Sequence, residues 1–452
     1  MQRIEVKNFG PLKDVSIDIT NIVVLIGESA SGKSTLAKLV YFFNTLKDEI
    51  YSYIRFNREK YIHFTLTNFH IFLIHEIIDK YVERFGENMV LGSSVTATFG
   101  KRINGKLENS FTITINAIKD ENLNQTEFQF PDLAICVKSI VEKNELTMRN
   151  LYEYQSKNDI RAVEYFEELL KNSINDSFYD NTDSLYIPAS RTFSVSLNDS
   201  MKLSIYASLV DITKSIRPTN NPEYGNLDNI IIKEFITYSS KLKDRLKNVT
   251  FEQYHFNVSN SLEVNTLSEE LTYDVLNGKY SNDGENEYIV IENDIRIPIE
   301  IASSGQQEVL RILQEINVSR IDGKYRFRVI EEPETHLFPI AQKKLVELIT
   351  LLSNVTSNNN DDENSSKILI TTHSPYILAS FNNLMYACKV GIENEKINSS
   401  LWISQDQIRA YKLKGGFVED IIDYELGLIK NEEIDEASRI INEEFDFIDN
   451  LQ

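Results

Sequence analysis

The sequence predicts an α/β fold: a mixed sheet with flanking helices, interrupted by an inserted helical region. Three observations in the 452 residues carry this expectation. Short apolar runs at Ile22–Ile26, Phe327–Ile330 and Ile368–Ile370 end abruptly in polar residues and lead into helical patterns, as strands alternating with covering helices do. Residues 94–98 and 111–115 alternate apolar and polar around Asn104-Gly105, a hairpin signal. Residues 160–172 and most of 196–250 carry helical spacing instead, broken at Pro218, Pro222 and Gly225. The expected organisation is an N-terminal lobe over 1–195, a mainly helical insertion over 196–285, a C-terminal lobe over 286–400 and an acidic tail over 401–452.

The chain opens with strands at Arg3–Val6 and Val15–Ile19, joined through Asn8-Phe9-Gly10-Pro11. The next strand runs into Gly27-Glu28-Ser29-Ala30-Ser31-Gly32-Lys33-Ser34-Thr35, followed by Leu36-Ala37-Lys38-Leu39-Val40. Strand, G-x-x-x-x-G-K-[ST] loop and helix together are what a phosphate loop requires. Loop amides and the positive end of the helix cradle phosphates. On this reading Lys33 reaches the β- and γ-phosphates, Ser34 offers its hydroxyl to Mg²⁺, and Thr35 touches the α-phosphate. A plain Gly-bearing turn would have no need of Lys33.

After a helical, aromatic stretch over 46–85 and the hairpin, a short strand Ser184–Ile187 meets Pro188-Ala189-Ser190-Arg191. Strands over Tyr288–Glu292 and Ile295–Ile301 run into Ala302-Ser303-Ser304-Gly305-Gln306-Gln307. Ser-Ser-Gly at a helix start is a second anion site or an ordinary N-cap. The strand from Tyr325 ends in Glu331-Glu332-Pro333-Glu334. A carboxylate at such a tip, Glu331, suits the water shell of Mg²⁺, and Glu332 suits polarisation of an attacking water. The plainer alternative is an acidic turn opening a helix. Lys367–Thr372 is a further buried strand, ending in His373. A neutral imidazole there can hydrogen-bond a γ-phosphate or a water, or serve only the structure.

A hydrophobic content of 42% with 25% charged residues is that of a soluble globular protein. No apolar run nears the roughly 18 residues a bilayer span needs, and the first residues begin a strand rather than a signal peptide, so no membrane partner is expected. Cys136 and Cys388 sit in strand-like apolar runs with neither disulfide nor metal spacing; they read as small buried hydrophobes in a reducing cytoplasm. The net charge of −21 weighs against a broad hold on nucleic acid and toward a protein partner. The basic cluster Lys241, Lys243, Arg245 and Lys247 reads as a solvated helix face. Asp420, Asp423, Asp446 and Asp449 recur at helical spacing beside Ile421, Ile422, Phe445 and Phe447, the pattern of an amphipathic helix. Asn358–Asn364 reads as a polar surface loop.

The loops at 27–35 and 303–307, the acidic strand, His373 and the opening Ile4-Glu5-Val6-Lys7-Asn8-Phe9-Gly10 together resemble the ABC-type ATPase heads of the SMC, RecF and OLD families. The family order is phosphate loop, variable insertion, signature loop, acidic strand and switch histidine, and the chain keeps it. The resemblance implies ATP and Mg²⁺ as cofactors and an ATPase activity. It makes Gly27 to Thr35 the Walker A loop and Ser303-Ser304-Gly305-Gln306-Gln307 the signature loop. Glu331 becomes the Walker B metal residue, Glu332 the catalytic base and His373 the switch. It further implies that the signature loop of one subunit completes the γ-phosphate site of another, so that at least a homodimer sandwiches two ATP molecules.

The Pro188-Ala189-Ser190-Arg191 turn and the segment from Tyr411-Lys412-Leu413-Lys414-Gly415-Gly416 onward resemble stand-alone OLD-like bacterial ATPases. Those include the ATPase subunits of anti-phage systems such as PARIS (AriA) and Septu (PtuA). The likeness puts Arg191 near the Q-loop, touching metal, water or phosphate. The chain departs from the pattern at Glu28-Ser29-Ala30-Ser31, where many relatives carry Asn and Gly, and at Glu331, where Asp is commoner. Both departures suit slow turnover. The residues after His373 are too few for the Toprim nuclease of OLD proteins, so no nuclease is expected within the chain. Two function classes follow: an ATPase switch controlling a separately encoded effector, a nuclease or toxin, in anti-phage defence; or a RecF- or SMC-like DNA-clamping repair ATPase. The long insertion between Lys33 and Ser304 disfavours a transporter subunit.

Overall fold

The computed structural model describes residues 2–57, 66–103, 106–120, 125–192, 226–247, 262–322, 325–356, 365–392, 396–430 and 443. The strands in chain order are β1 (Arg3–Phe9), β2 (Leu12–Asp18), β3 (Ile22–Gly27), β4 (Ser94–Ile103), β5 (Lys106–Asp120), β6 (Gln125–Gln129), β7 (Asp183–Ile187), β8 (Lys279–Asn282), β9 (Glu287–Val290), β10 (Arg296–Pro298), β11 (Arg326–Glu331), β12 (Lys367–Thr372), β13 (Ile408–Lys414) and β14 (Phe417–Asp420). Eleven of them form one mixed sheet in the order β6-β5-β4-β1-β2-β14-β13-β3-β12-β11-β7, and β8, β9 and β10 form a small separate one.

The main helices are α1 (Lys33–Phe56), α2 (Leu66–Phe85), α3 (Pro131–Lys143), α4 (Glu145–Ser156), α5 (Ile160–Phe178), α6 (Leu227–Arg245), α7 (Leu262–Leu276), α8 (Ser304–Asp322), α9 (Pro339–Val355) and α10 (Pro375–Val390). Among the described residues no helix is long and apolar enough to cross a membrane.

Side-chain alternation along the central strands explains the layering. Val23 and Leu25 on β3, Phe327 and Val329 on β11 and Leu369 on β12 enter one core with α1, α2 and the β4–β5 hairpin. Ile22, Val24, Ile330, Ile368 and Ile370 point the other way, into a core built with α8, α9 and α10. Both faces are covered, so β3 and β12 read as near-continuous apolar runs rather than alternating ones, whereas β11 carries buried Arg326 and Arg328 among its apolar residues. Each fully buried Leu or Ile contributes about 1.5–3 kcal/mol relative to exposure.

Parallel pairing aligns the strand tips. Glu331 lies opposite Thr371, Thr371 opposite Leu25, and Gly27 opposite Leu413. The carboxyl ends of β11, β12, β3 and β13 therefore meet at one edge, where open α/β sheets hold their ligands.

Several expectations need correction. Cys136 lies on α3 and Cys388 on α10, not on strands. The run around Cys136 follows a helix start at Pro131, and that around Cys388 is the last turn of a helix that starts at Pro375; Pro is pre-organised for the first turn. Both thiols are only partly buried, and burial pushes that of Cys136 up to about 12, which disfavours the thiolate. Asp420 ends β14, and Asp423 lies in the short strand Ile422–Asp423; neither is helical. Gly415 and Gly416, both at positive φ, close a two-residue hairpin between β13 and β14, and mirror-image turns of this kind need glycine. The segment 401–452 is thus not tail throughout, since it places two strands beside β3 and β2. The expected strand Ile295–Ile301 is cut to Arg296–Pro298, with a 3₁₀ turn over Ile299–Ile301. Asn104-Gly105, Pro218, Pro222, Gly225, Asn358–Asn364, Asp446 and Asp449 lie outside the described residues.

Candidate functional site

The loop between β3 and α1 is shaped by backbone conformations that side chains resist. Gly32, the residue before α1, has φ 101°, and a Cβ there would stand 2.6 Å from Leu12 Cδ2. Ala30 also sits at positive φ, 61°, which costs an alanine about 1 kcal/mol. No acidic residue occupies the first turn of α1, so its positive end is left to an anion. Lys33 is buried and folds back over the loop, donating to Gly27 O at 2.8 Å and Glu28 O at 2.9 Å. Burial lowers its pKa, opposed by the charges of Glu332 and Glu334. Glu28, Ser29 and Ala30 are exposed; Ser31, Ser34 and Thr35 are half-buried.

At the tip of β11, Glu331 Oε1 accepts from Tyr186 Oη at 2.8 Å, and Oε2 accepts from Ala189 N at 3.1 Å. Glu332 follows in the left-handed region, φ 43°, a conformation that costs a non-glycine residue about 1–3 kcal/mol and persists only where the surroundings impose it. They do. Its N–H donates to Thr371 O at 2.8 Å, and its carbonyl accepts from Thr335 N, Thr335 Oγ1 and Arg191 Nη2. Its carboxylate lies 3.4 Å from His373 Nε2, both side chains about one-third exposed. Glu334 ties the two strand ends together, accepting at Oε1 from Thr372 Oγ1 (2.6 Å) and His373 N (2.7 Å). Its Oε2 is buried with no hydrogen-bond partner.

The 303–307 loop opens α8 with a reciprocal cap. Ser303 Oγ accepts from Gln306 N, and Gln306 Oε1 accepts from Ser303 N and Oγ, the capping-box arrangement. Gln306 Nε2 donates to Leu276 O and Gln307 Nε2 to Ile299 O and Glu300 O, so both amides are committed within the chain. Ser303 and Ser304 stay exposed. Gly305 is pressed against the loop after β11, where a Cβ would stand 2.6 Å from His336 O.

Arg191, which the resemblance puts near the Q-loop, lies against the main chain of Glu331 and Glu332. It is fully buried, and its donors go to main-chain carbonyls and Glu308 rather than toward a ligand. Reasoning from sequence missed Tyr186, Glu308, Thr192 and the tethering role of Glu334. The string Glu331-Glu332-Pro333-Glu334 was the signal available for the last of these.

The donors at the edge are hydroxyl and carboxylate oxygens (Ser34, Glu331, with the unpartnered Glu334 Oε2 nearby in sequence), which is the chemistry that hard Mg²⁺ selects. Each Glu331 oxygen keeps a lone pair beyond the bond it accepts. Among the described residues no cluster of three or more His, Cys, Asp or Glu side chains is arranged to hold a metal alone; Mg²⁺ commonly shares its shell with waters and substrate phosphates.

A strand–loop–helix with a buried lysine, one strand removed from an acidic strand in a mixed sheet, defines a P-loop ATPase domain. Residues 1–378 match the model of the AAA ATPase domain family, and the chain belongs to it. Solved structures similar to it include the Smc head domain with an extended coiled coil, bound to the C-terminal domain of ScpA, from Pyrococcus furiosus (11% identity over 98% of each chain, TM-score 0.35). The SMC head domain from Thermotoga maritima is 9% identical, covering 93% of this chain and 97% of that one, with a TM-score of 0.36. The recombination mediator RecF of the RecFOR pathway is 11% identical over the same shares, with a TM-score of 0.32. None of the curated proteins matches the chain.

Proposed function

We propose that this ATPase is a nucleotide-driven switch that dimerises on ATP and controls a separately encoded effector, a nuclease or toxin, in bacterial anti-phage defence. The observation that carries the hydrolytic part is Glu332, held in a strained conformation 3.4 Å from His373, on the sheet edge that also bears Lys33.

The groups at this edge support a simple mechanism. Lys33 leaves its loop carbonyls for the β- and γ-phosphates, while loop amides from Gly27 to Thr35 hold the remaining oxygens. Ser34 and Glu331 would hold Mg²⁺, which when bound would supply neutralisation of phosphate charge. Glu332 accepts the proton of the attacking water, and His373 fixes that carboxylate and senses the γ-phosphate. Ser303 and Ser304 of a second copy complete the site from the other side. Exposed apolar residues beside these loops, Ile301, Phe338, Ile340 and Tyr376, support a face that another copy covers. The helical insertion and C-terminal segment carry closure to the partner protein.

The net charge of −21 favours a protein partner. The RecF- or SMC-like clamp draws instead on the basic end of α6, where Lys241, Arg245 and Lys247 are exposed. There Lys247 is paired with Asp244 at 2.9 Å. The deciding experiment is a pull-down of tagged protein from its host, with and without Glu332→Gln. A stoichiometric nuclease or toxin supports the switch; nucleic acid without a protein partner overturns it in favour of the clamp.

A further inference from the structure

Arg191 has no exposed surface. Its guanidinium grips three separate segments. Nη1 donates to Glu331 O at 2.8 Å and to Pro188 O at 3.4 Å, and Nη2 donates to Glu332 O at 3.0 Å. Nε donates to Glu308 O at 2.8 Å and lies 3.2 Å from Glu308 Oε2. Glu308 also pairs with Thr192. One rigid fork thus joins the turn after β7, the tip of β11 and the first turns of α8. Gly305, packed against His336 O, gives α8 a second contact with the loop that follows Glu332.

We propose that Arg191 is a positioning residue that couples the signature end of α8 to Glu332. This rests on the ATPase-switch reading above. α8 begins at the loop that would dock on a neighbouring head's nucleotide, and Glu332 is the base of the same chain. When docking shifts α8, the guanidinium moves the Glu332 carbonyl with it. The left-handed backbone at Glu332 makes the carboxylate's direction sensitive to that pull, because the conformation survives only under outside constraint. Lysine cannot replace the fork: its ammonium is a single point with three donors on a flexible stem, and the planar guanidinium offers five in fixed directions.

The test is Arg191→Lys in the full chain, read by ATP affinity, by ATP-driven dimerisation in light scattering, and by single-turnover hydrolysis. The expected result is a fall in kcat of about tenfold or more, as for a misplaced base, with Kd for ATP changed by less than about threefold. In a Glu332→Gln background the same substitution should cause no further loss of rate, because its effect runs through that carboxylate. Parallel loss of binding and turnover, unchanged turnover, or an additive loss in the Glu332→Gln background overturns the inference. Should Arg191→Lys fail to fold, Glu308→Gln reads the same link from the α8 side, with the same expected split between kcat and Kd. A wild-type protein that hydrolyses no ATP overturns the ATPase reading itself, and that is seen before any Arg191 variant is made.

Discussion

Replacing Glu332 by Gln is the most direct probe of the chemistry, because the change preserves shape and removes only the charge and basicity. The amide can still face His373 Nε2, which lies 3.4 Å from Glu332 Oε1, and the main-chain clamps from Thr371, Thr335 and Arg191 are untouched. Folding should therefore be unchanged. A positioned general base is worth about 10²–10⁴-fold, so the barrier should rise by about 3–5 kcal/mol at roughly 1.4 kcal/mol per decade. ATP binding should hold or tighten, since one of the two carboxylates acting on Lys33 is neutralised while the loop is intact. The assay is single-turnover hydrolysis of radiolabelled ATP with Mg²⁺, alongside an affinity measurement and light scattering. The variant should accumulate as an ATP-bound dimer. A Glu332→Gln protein that hydrolyses ATP at the normal rate refutes the assignment of the base, and Glu334 becomes the next carboxylate to test.

Three further predictions follow from particular residues. On the proposed reading Lys33→Ala removes the cation that would neutralise phosphate charge and should reduce ATP affinity by about a hundredfold or more, since charge-assisted hydrogen bonds to phosphate are worth about 1.5–3 kcal/mol each; isothermal titration would show it, and unchanged affinity would refute that role for Lys33. Asp48 carries a raised pKa of about 6, from burial partly offset by Lys47 and Lys171. Its ionised form is therefore a cost, absent below about pH 4, growing as pH rises to about 6, and full above that, up to about 3 kcal/mol. Asp48→Asn should raise the urea midpoint at pH 7.5 and have no such effect near pH 4; an equal gain at both pH values would show that charge is not the cause. Glu315→Gln removes the buried carboxylate that pairs with both Arg326 and Arg328, which should cost about 3–5 kcal/mol. Burial alone would raise the pKa of Glu315, but Arg328 and Arg326 outweigh it and the net shift is down. Its contribution is thus present above the ordinary carboxylate range and lost as pH falls through the lower folded value; urea titrations at pH 7 and pH 4 check this by the variant's deficit shrinking at the lower pH.

What is legible in the sequence is local strand, loop and helix pattern. The phosphate loop announced itself because a strand, a glycine-bearing loop with Lys33 and a helix are consecutive in the chain. Glu331, Glu332 and His373 stand out because each lies at or just after the end of a fully buried strand rich in apolar residues. Legibility failed where the deciding partner is far away in sequence. Nothing local to Pro188-Ala189-Ser190-Arg191 says that its arginine is buried against carbonyls of residues 308, 331 and 332. Ala134-Ile135-Cys136-Val137 is too short for periodicity to separate strand from helix; exposure of Ile135, with Leu133, Val137 and Ile140 buried, reveals the helical face. The aspartates at 420 and 423 fit helical spacing by coincidence, while the Gly415-Gly416 hairpin beside them set the local structure.

The anchoring of α8 bears on why a switch would be built this way. Three charged residues on one side of the helix, Glu308, Arg311 and Glu315, are each buried and paired: to Arg191, to Glu287, and to Arg326 with Arg328. Their spacing of three and four residues puts them on neighbouring turns of one face. Buried ion pairs add little net stability compared with apolar packing, and the Leu, Ile and Val residues of α8 already supply a large core. What the pairs add is a unique register. An apolar helix face can slide by small steps at low cost, whereas a guanidinium paired with a carboxylate either meets its partner or leaves two buried charges exposed to each other's absence. On the proposed reading, docking energy delivered to Ser303 and Ser304 would not be dissipated in small adjustments along α8 but would reach β11 at both of its ends, through Arg326 and Arg328 at the start and Arg191 at the tip. A Glu315→Gln protein that loses stability yet keeps normal nucleotide turnover would count against this, because it would show that the register of α8 is not what sets Glu332.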